Sequence, residues 1–321
     1  MAVSAFFLIF ARTITIIVMS KFINPFTDVG FKHIFGQEFS KPLLLDFLNN
    51  LLVGERHITD LSFLDKEQAA IYYGDRSPIY DVLCETDTGE KIIVEMQNRS
   101  QPHFKERTLY YASEAIVRQG ERGAQWDYDI KAVYLIAFTS FAFEGRTREF
   151  RIDVGLSNLM NGELFCDKLR LVYLQLPLFA KEADDCENDF ERWIYVLKNM
   201  ETLNRLPWMA KSAVFQRLAE VAEVSALTKE ERIKYNHALK VYRDSLNAER
   251  YAEYKVEKAM QEGIEKGMAK GMEQGMAKGV EKGQQQEKVE TVRRLQTLGL
   301  PVDQIAQGTG LTTEEVKSIL S

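Results

Sequence analysis

Few cysteines, histidines and prolines occur in this sequence, and their scarcity excludes several classes of protein. The 321 residues contain three cysteines, four histidines and seven prolines. The cysteines, at positions 84, 166 and 186, show no CxxC spacing. An odd and sparse set argues against a disulfide scaffold or a zinc knuckle and favours a reducing compartment. The histidines show no HxxxH spacing, and we interpret them as ordinary surface or core residues.

Long hydrophobic runs are equally scarce. The run AFFLIFARTITIIVM, from Ala5 to Met19, is interrupted by Arg12 and is short for a membrane span, which needs about 20 apolar residues. It also lacks the basic segment and the small-residue cleavage site of a secretory signal. We interpret Met19 as the true start and residues 1–21 as an N-terminal extension. We therefore expect a cytoplasmic protein with no membrane partner.

An excess of positive charge is also absent. The formal net charge is −6, which argues against a chain that coats polyanions indiscriminately. A local basic groove remains compatible with that value. The length and the hydrophobic content of 45% allow one sizeable core with appendages.

The first 180 residues alternate between helical and strand-like patterns. The segment PHFKERTLYYASEAIVRQGER predicts a helix whose apolar face recurs at steps of three and four; that face comprises Phe104, Leu109, Ala112, Ile116 and Val117. DIKAVYLIAFTSF is a continuous apolar run, which suits a strand buried on both faces. AIYYGDRSPIYDVLCET, EFRIDVGL and KLRLVYLQLPLF predict further strands. An earlier helix has its apolar face in Leu44, Leu45, Phe47, Leu48, Leu51 and Leu52.

Residues 181–260 predict a helical extension, and a glycine repeat follows at 261–285. Glycine recurs every four residues from 263 to 283, and each costs a helix roughly 1 kcal/mol relative to alanine. Two interpretations stay open. The segment is a flexible charged tether, or it is a helix whose glycine track lets a partner helix approach closely. In the second case the chain forms a homo-oligomer through the repeat or the C-terminal module.

Residues 286–321 predict a small module with the rhythm of a helix-turn-helix. Gly310 lies at the turn, Thr312 is the expected N-cap of the second helix, and Val316 packs back on the first. A contact with DNA is one interpretation, and a docking or dimerising bundle is the other. Glu314 and Glu315 open the second helix, where acids meet phosphates badly.

The stretch YDVLCETDTGEKIIVEMQNR, residues 80–99, predicts a β-hairpin with an acid in each strand. A three-residue loop ending at Gly89, in the left-handed region, gives one opposite-charge pair, one apolar pair and one pair of acids across the strands. A two-residue turn would instead set acids against apolar residues, so pair matching selects the first register. That register places Gln97 on the same face as the acids. The resulting pairs are Glu85 with Lys91, Leu83 with Ile93, and Asp81 with Glu95.

Two facing acids are costly unless something compensates their charge. A divalent cation with oxygen ligands is one compensator. A carboxylate pair that holds Mg²⁺ or Mn²⁺ binds a phosphodiester and activates water for attack. The other interpretation is a wet strand edge at which both acids are solvated, and residue types alone leave the two open.

Several segments resemble a known family. PIYDVLCETDTGEKIIVEMQ is similar to the Asp…(Asp/Glu)-x-Lys hairpin of the PD-(D/E)xK nuclease superfamily. NPFTDVGFKHIFG, IVEMQNRSQPHFKERTLYYASEAIVRQ, the glycine-punctuated segment and the helical tail together resemble the Rpn family of recombination-promoting nucleases, also described as transposases. The likeness runs from about Phe22 to the C-terminus. It implies an α/β fold with a restriction-endonuclease-like mixed sheet flanked by helices over residues 22–180, then the helical extension and the small C-terminal helical module.

The resemblance also implies roles for individual residues. Asp81 and Glu95 correspond to the metal-binding acids, and Gln97, the third catalytic position, stands where the superfamily usually has lysine. Glutamine orients by hydrogen bonds but brings no positive charge. Catalysis is then either weak or helped by another cation. The expected phosphate-binding residues are Lys32, Lys105 and Arg107.

A metal-dependent DNA endonuclease is the function that the resemblance implies. Its cofactor would be Mg²⁺ or Mn²⁺, its partner DNA, and its setting recombination or mobile DNA. The alternative is a nuclease-like fold that binds DNA or protein with weak or no catalysis. A third hypothesis, a pure oligomerisation scaffold, rests on the glycine repeat.

Overall fold

The runs rich in β-branched and aromatic residues form one six-stranded mixed sheet. The structure is a computed structural model of the protein, and it describes residues 20–65, 67, 79–120, 126–145 and 148–321. The N-terminal run Ala5–Met19 and most of the segment AIYYGDRSPIYDVLCET before residue 79 lie outside these residues. The chain divides into two compact units, one reaching Asp244 and the other spanning Ser245–Ser321.

Six strands and eight α-helices are used below. The strands are β1 (Leu61–Phe63), β2 (Val82–Thr86), β3 (Lys91–Gln97), β4 (Val133–Thr139), β5 (Arg151–Ser157) and β6 (Leu164–Gln175). The helices are α1 (Asp28–Phe35), α2 (Lys41–Leu51), α3 (Phe104–Val117), α4 (Asp189–Asn199), α5 (Ala213–Ala222), α6 (Lys229–Thr297), α7 (Val302–Thr309) and α8 (Thr313–Leu320).

The sheet has the spatial order β1-β2-β3-β4-β6-β5. β1, β2 and β3 are antiparallel neighbours, β3, β4 and β6 run parallel, and β5 is an antiparallel edge strand on β6. Helix α3 connects β3 to its parallel neighbour β4, as parallel strands require a crossover of this length. The predicted mixed sheet flanked by helices is confirmed.

Strand β4 is buried at every residue, as its unbroken apolar run predicts. Its even-numbered side chains, such as Ile136 and Phe138, belong to a large core with α1, α2, α4 and α5. The odd-numbered ones, such as Leu135 and Ala137, join a smaller core with α3. Asp81, Glu95 and Gln97 have the odd numbering of Leu83 and Ile93, so they lie on the α3 side of the sheet.

The helical extension packs into the large core. Trp193 on α4 lies with its ring centroid 6.0 Å from that of Phe47 and 5.4 Å from that of Phe215 on α5. All three side chains are almost fully buried. Residues beyond 180 therefore complete the same hydrophobic core as the sheet.

Helix α3 forms where it was predicted, but its buried face differs from the predicted one. Leu109 and Val117 are exposed, whereas Thr108 and Glu114 are buried. The Thr108 and Tyr173 hydroxyls lie 2.6 Å apart, and Glu114 pairs with Arg118. Tertiary partners thus draw two polar side chains inward, which a purely apolar periodicity does not predict.

Helix α6 continues through the glycine repeat, so the repeat is helical and not a tether. In the second unit, Gly310 ends α7 with a φ of 68°, and the Thr312 hydroxyl accepts a hydrogen bond from Glu315 N at the start of α8. The turn at Gly310 and the N-cap at Thr312 were both predicted. Val292, Ile305, Ala306 and Val316 form the small core there. None of the helices in the described part of the chain combines the length and apolarity that crossing a bilayer requires.

Candidate active site

The hairpin of β2 and β3 has the register selected by pair matching. Val82 faces Val94, Leu83 faces Ile93 and Glu85 faces Lys91. Continuing this register places Asp81 opposite Glu95, and Asp81 N donates to Glu95 Oε1 at 3.3 Å. Gly89 closes the loop with a φ of 93°, in the left-handed region that favours glycine. The predicted adjacency of the two acids is confirmed.

The acid pair, in which Glu95 is buried and Asp81 is partly buried, is electrostatically strained. Glu95 is 8% exposed, and burial together with the charge of Asp81 raises its pKa to about 8. Burial also raises the pKa of Asp81, although Met96 N, which donates to Asp81 Oδ2 at 2.9 Å, and the nearby Lys32 act in the opposite direction. The interpretation as a wet strand edge is therefore wrong for Glu95.

Lys32 on α1 approaches the pair from one side. Its Nζ lies 3.7 Å from Asp81 Oδ1, and it also pairs with Asp28 one turn earlier on the helix. Burial lowers the pKa of Lys32, but Asp28 and Asp81 outweigh that effect and raise it. Lys32 therefore stays protonated and partly neutralises the acids. Its direct approach to Asp81 was not predicted, because 49 residues of sequence separate the two.

The segment before α1 fixes where Lys32 lies. Thr27 caps the helix, since its Oγ1 accepts from Gly30 N at 3.0 Å and donates to Asn24 O at 2.9 Å. A Cβ on Gly30 would lie 2.1 Å from Asn24 O, so only glycine allows this close approach. Asn24 N donates in turn to the Tyr235 hydroxyl at 2.8 Å. The NPFTDVG segment is thus locked to the body of the first unit.

Arg107 on α3 approaches the pair from the other side. Its Nη2 donates to Gln97 Oε1 at 2.5 Å and its Nη1 donates to Gln101 Oε1 at 2.6 Å. Its charge opposes the rise in the pKa of Glu95. Gln101 was not singled out from the sequence, because a glutamine in a loop carries no pattern of its own.

Two further side chains of α3, Lys105 and Tyr111, differ in their relation to the acid pair. The Lys105 ammonium lies over the Phe143 ring, 4.6 Å from its centroid, so the structure does not bring it to the acid pair. Tyr111 follows Arg107 by one turn and is half-buried, with its ring 5.4 Å from that of Tyr80. Burial and the charge of Glu95 raise the pKa of Tyr111, so its hydroxyl stays neutral.

The chemistry of the pair fits a divalent cation. Two carboxylates whose pKa values are raised by burial gain from a cation placed between them. Among the described residues, no group of three or more His, Cys, Asp or Glu side chains is arranged to hold a metal ion. Mg²⁺ commonly uses one or two carboxylates and completes its shell with water and phosphate oxygens. Asp81 and Glu95 thus supply the number of carboxylates that such a site commonly uses.

Comparison with known proteins gave one match. The model of the family described as PD-(D/E)XK nuclease family transposase matches residues 25–252. This range contains all the strands, Lys32, the acid pair, Gln97 and Arg107. No curated protein and no solved structure matched the chain.

Proposed function

Since this chain belongs to the PD-(D/E)XK nuclease family transposases, we propose that it hydrolyses phosphodiester bonds of DNA with Mg²⁺ or Mn²⁺. The facing pair of Asp81 and Glu95 is the observation that carries the proposal. Membership of the family supports a nuclease- or transposase-related function. The DNA substrate, the cation and endonucleolytic cutting are the parts that we add, together with a setting in recombination or mobile DNA.

The chain's own groups divide the work of binding and neutralising charge. Asp81 and Glu95 are the residues that would hold the cation. When bound, the cation supplies Lewis-acid stabilisation of the phosphate and lowers the pKa of a water molecule. Lys32 and Arg107 flank the acids and offer positive charge to the phosphate oxygens. The buried sheet beneath holds these groups in place before DNA arrives.

Nicking of supercoiled plasmid tests the proposal. The wild-type protein is expected to nick with Mg²⁺ or Mn²⁺ and to stop when EDTA is added. Asp81→Asn and Glu95→Gln should each lower the rate by roughly two orders of magnitude or more. Both variants keep the shape of the side chain, so their circular dichroism should match that of the wild type.

Two acids on the same hairpin provide matched controls. Glu85 forms an ion pair with Lys91, and Asp87 accepts a hydrogen bond from the Thr59 hydroxyl in the turn. Glu85→Gln and Asp87→Asn are expected to nick at the wild-type rate. Nicking that persists in both Asp81→Asn and Glu95→Gln would show that cutting occurs elsewhere or comes from a contaminant. A wild-type protein that binds DNA but never nicks would favour the alternative of a nuclease-like binding module.

A further inference from the structure

Gln97 occupies the third position of the motif, where the PD-(D/E)XK pattern usually has lysine, and both polar atoms of its side chain already form hydrogen bonds. Oε1 accepts from Arg107 Nη2 at 2.5 Å, and Nε2 donates to Arg99 O at 2.8 Å. Turning the amide over would set its NH₂ group against a guanidinium and its oxygen against a carbonyl. The network therefore fixes the orientation of the amide. Only 9% of Gln97 is exposed, so its buried side chain acts as a clamp that holds the Arg107 guanidinium in place.

Arg107 is held by neutral partners that leave its charge available. Gln97 and Gln101 each accept one hydrogen bond from it through an amide oxygen. The guanidinium also lies over the Phe104 ring, with Cζ 5.1 Å from the ring centroid. Two of the five N–H donors are used by the amides, and a phosphate needs two of the remaining three for bidentate contact. An arginine that served only as a structural partner would more commonly meet a carboxylate.

The other cations near the site are engaged differently. Lys32 meets the carboxylates of Asp28 and Asp81, so part of its charge is already balanced within the protein. The ammonium of Lys105 lies over the Phe143 ring, on a different side of α3. Arg107 is the group whose positive charge reaches the position that a motif lysine would fill.

From these contacts we propose that Arg107 is a catalytic residue that contacts the scissile phosphate, and that Gln97 is a positioning residue that acts through it. The assignment rests on the proposed nuclease function and names its electrostatic partner. In this arrangement Arg107 on α3 supplies the positive charge that a motif lysine on β3 would supply. A guanidinium donates hydrogen bonds and accepts none, so Arg107 stabilises charge on the phosphate and does not take a proton from the attacking water.

Nicking kinetics on a set of Arg107 and Gln97 variants test this assignment. Arg107→Ala should lower kcat by roughly 100-fold, while Arg107→Lys, which keeps the charge but loses the planar fork, should fall in between. Gln97→Ala should lower kcat by roughly tenfold, the usual loss for a group that orients a ligand or donor. The double variant Gln97→Ala/Arg107→Ala should be no slower than Arg107→Ala alone, because Gln97 acts only by positioning Arg107, which the double variant lacks.

Introducing lysine at position 97 provides the most discriminating measurement. Gln97→Lys combined with Arg107→Ala should recover roughly tenfold of the lost kcat, since an ammonium then enters the same position from β3. Binding of Mn²⁺, followed by calorimetry, should be unchanged in Arg107→Ala, and so should the unfolding temperature. Arg217, an exposed arginine paired with Glu220 on α5, gives the matched control, and Arg217→Ala should nick at the wild-type rate.

Failure of the assignment differs from failure of the proposed function. A wild-type protein that does not nick overturns both. A wild-type protein that nicks in an Asp81-dependent way while Arg107→Ala is equally active overturns only the role of Arg107. If the two losses in kcat multiply in the double variant, or if lysine at position 97 restores no activity, then Gln97 acts independently of Arg107. Either result would overturn the positioning role of Gln97.

Discussion

The two units of this chain both contain residues that cost stability, but only the first surrounds them with a large core. In the first unit, the buried Glu95 faces the partly buried Asp81 beside hydrophobic cores on both sides of the sheet. In the second, six glycines lie in one helix, and the core consists of Val292, Ile305, Ala306 and Val316. This difference shows that a destabilising residue can be interpreted in terms of function only when its surroundings are known.

The costs themselves also differ in kind. The acid pair loses solvation and gains repulsion, which a bound cation can reverse. The glycines at 263 to 283 lose helix propensity, and a Cβ at any of them would meet nothing within 4 Å. A partner of matching chemistry relieves the first cost, whereas alanine alone would relieve the second.

Removing one large side chain from each core should have the largest effect. Phe138 is fully buried, with its ring centroid 5.4 Å from that of Phe47, and Phe138→Ala should cost about 3–5 kcal/mol. Ile305→Ala should cost the second unit about 2–5 kcal/mol, enough to abolish so small a core. Calorimetry should show Phe138→Ala lowering the main transition and Ile305→Ala removing only a minor one. Equal shifts of the main transition would contradict the separation of the two cores.

The acid pair should yield the next largest effect, and it should depend on pH. The raised pKa of Glu95 means that the folded state keeps a proton that the unfolded state has lost between about pH 4.5 and 8. Folding stability of the wild type therefore falls as pH rises through that window. Glu95→Gln removes this loss, and in metal-free urea unfolding it should be more stable than the wild type by about 2 kcal/mol at pH 9 and by much less at pH 5.

The control for this experiment is Glu85→Gln, because Glu85 is partly exposed and paired with Lys91. Its effect should be small and similar at both pH values. A Glu95→Gln gain of the same size at pH 5 and pH 9 would mean that the carboxyl of Glu95 is not strained in the folded protein.

The smallest effect should come from the glycine repeat. Gly271→Ala should stabilise α6 locally by about 1 kcal/mol, which slows hydrogen exchange of neighbouring amides by roughly fivefold. Gly310→Ala is the matched control in the same unit, because its φ of 68° makes alanine unfavourable there. Faster exchange in Gly271→Ala, together with a smaller assembly mass, would instead support a glycine face packed against a second copy.

Local pattern predicted much of the fold and the central pair of the site. The hairpin register followed from matching residues across the strands, and strand β4 followed from its continuous apolar run. Both depend on neighbours that lie within one element or one turn. Thr312 was recognisable as an N-cap for the same reason, since its partner Glu315 is three residues away.

The remaining parts of the site depend on contacts between distant segments. Lys32 meets Asp81 because Thr27 and Asn24 anchor α1 to the body of the unit. Gln97 meets Arg107 because the crossover helix α3 returns over the sheet. Neither meeting leaves a trace in spacing or periodicity, so only the folded chain reveals that the two acids lie between two cations.

The hydrogen bond from Asn24 N to the Tyr235 hydroxyl has a consequence for how much of α6 the candidate site depends on. Tyr235 lies in the early turns of α6 and is almost fully buried, so the beginning of that long helix supports the segment that leads into α1, the helix that carries Lys32. The family match likewise extends to residue 252, beyond the last strand and into α6. A shortened protein cut before Tyr235 would keep the entire sheet and both acids, yet it would lose the brace that sets the lysine beside them.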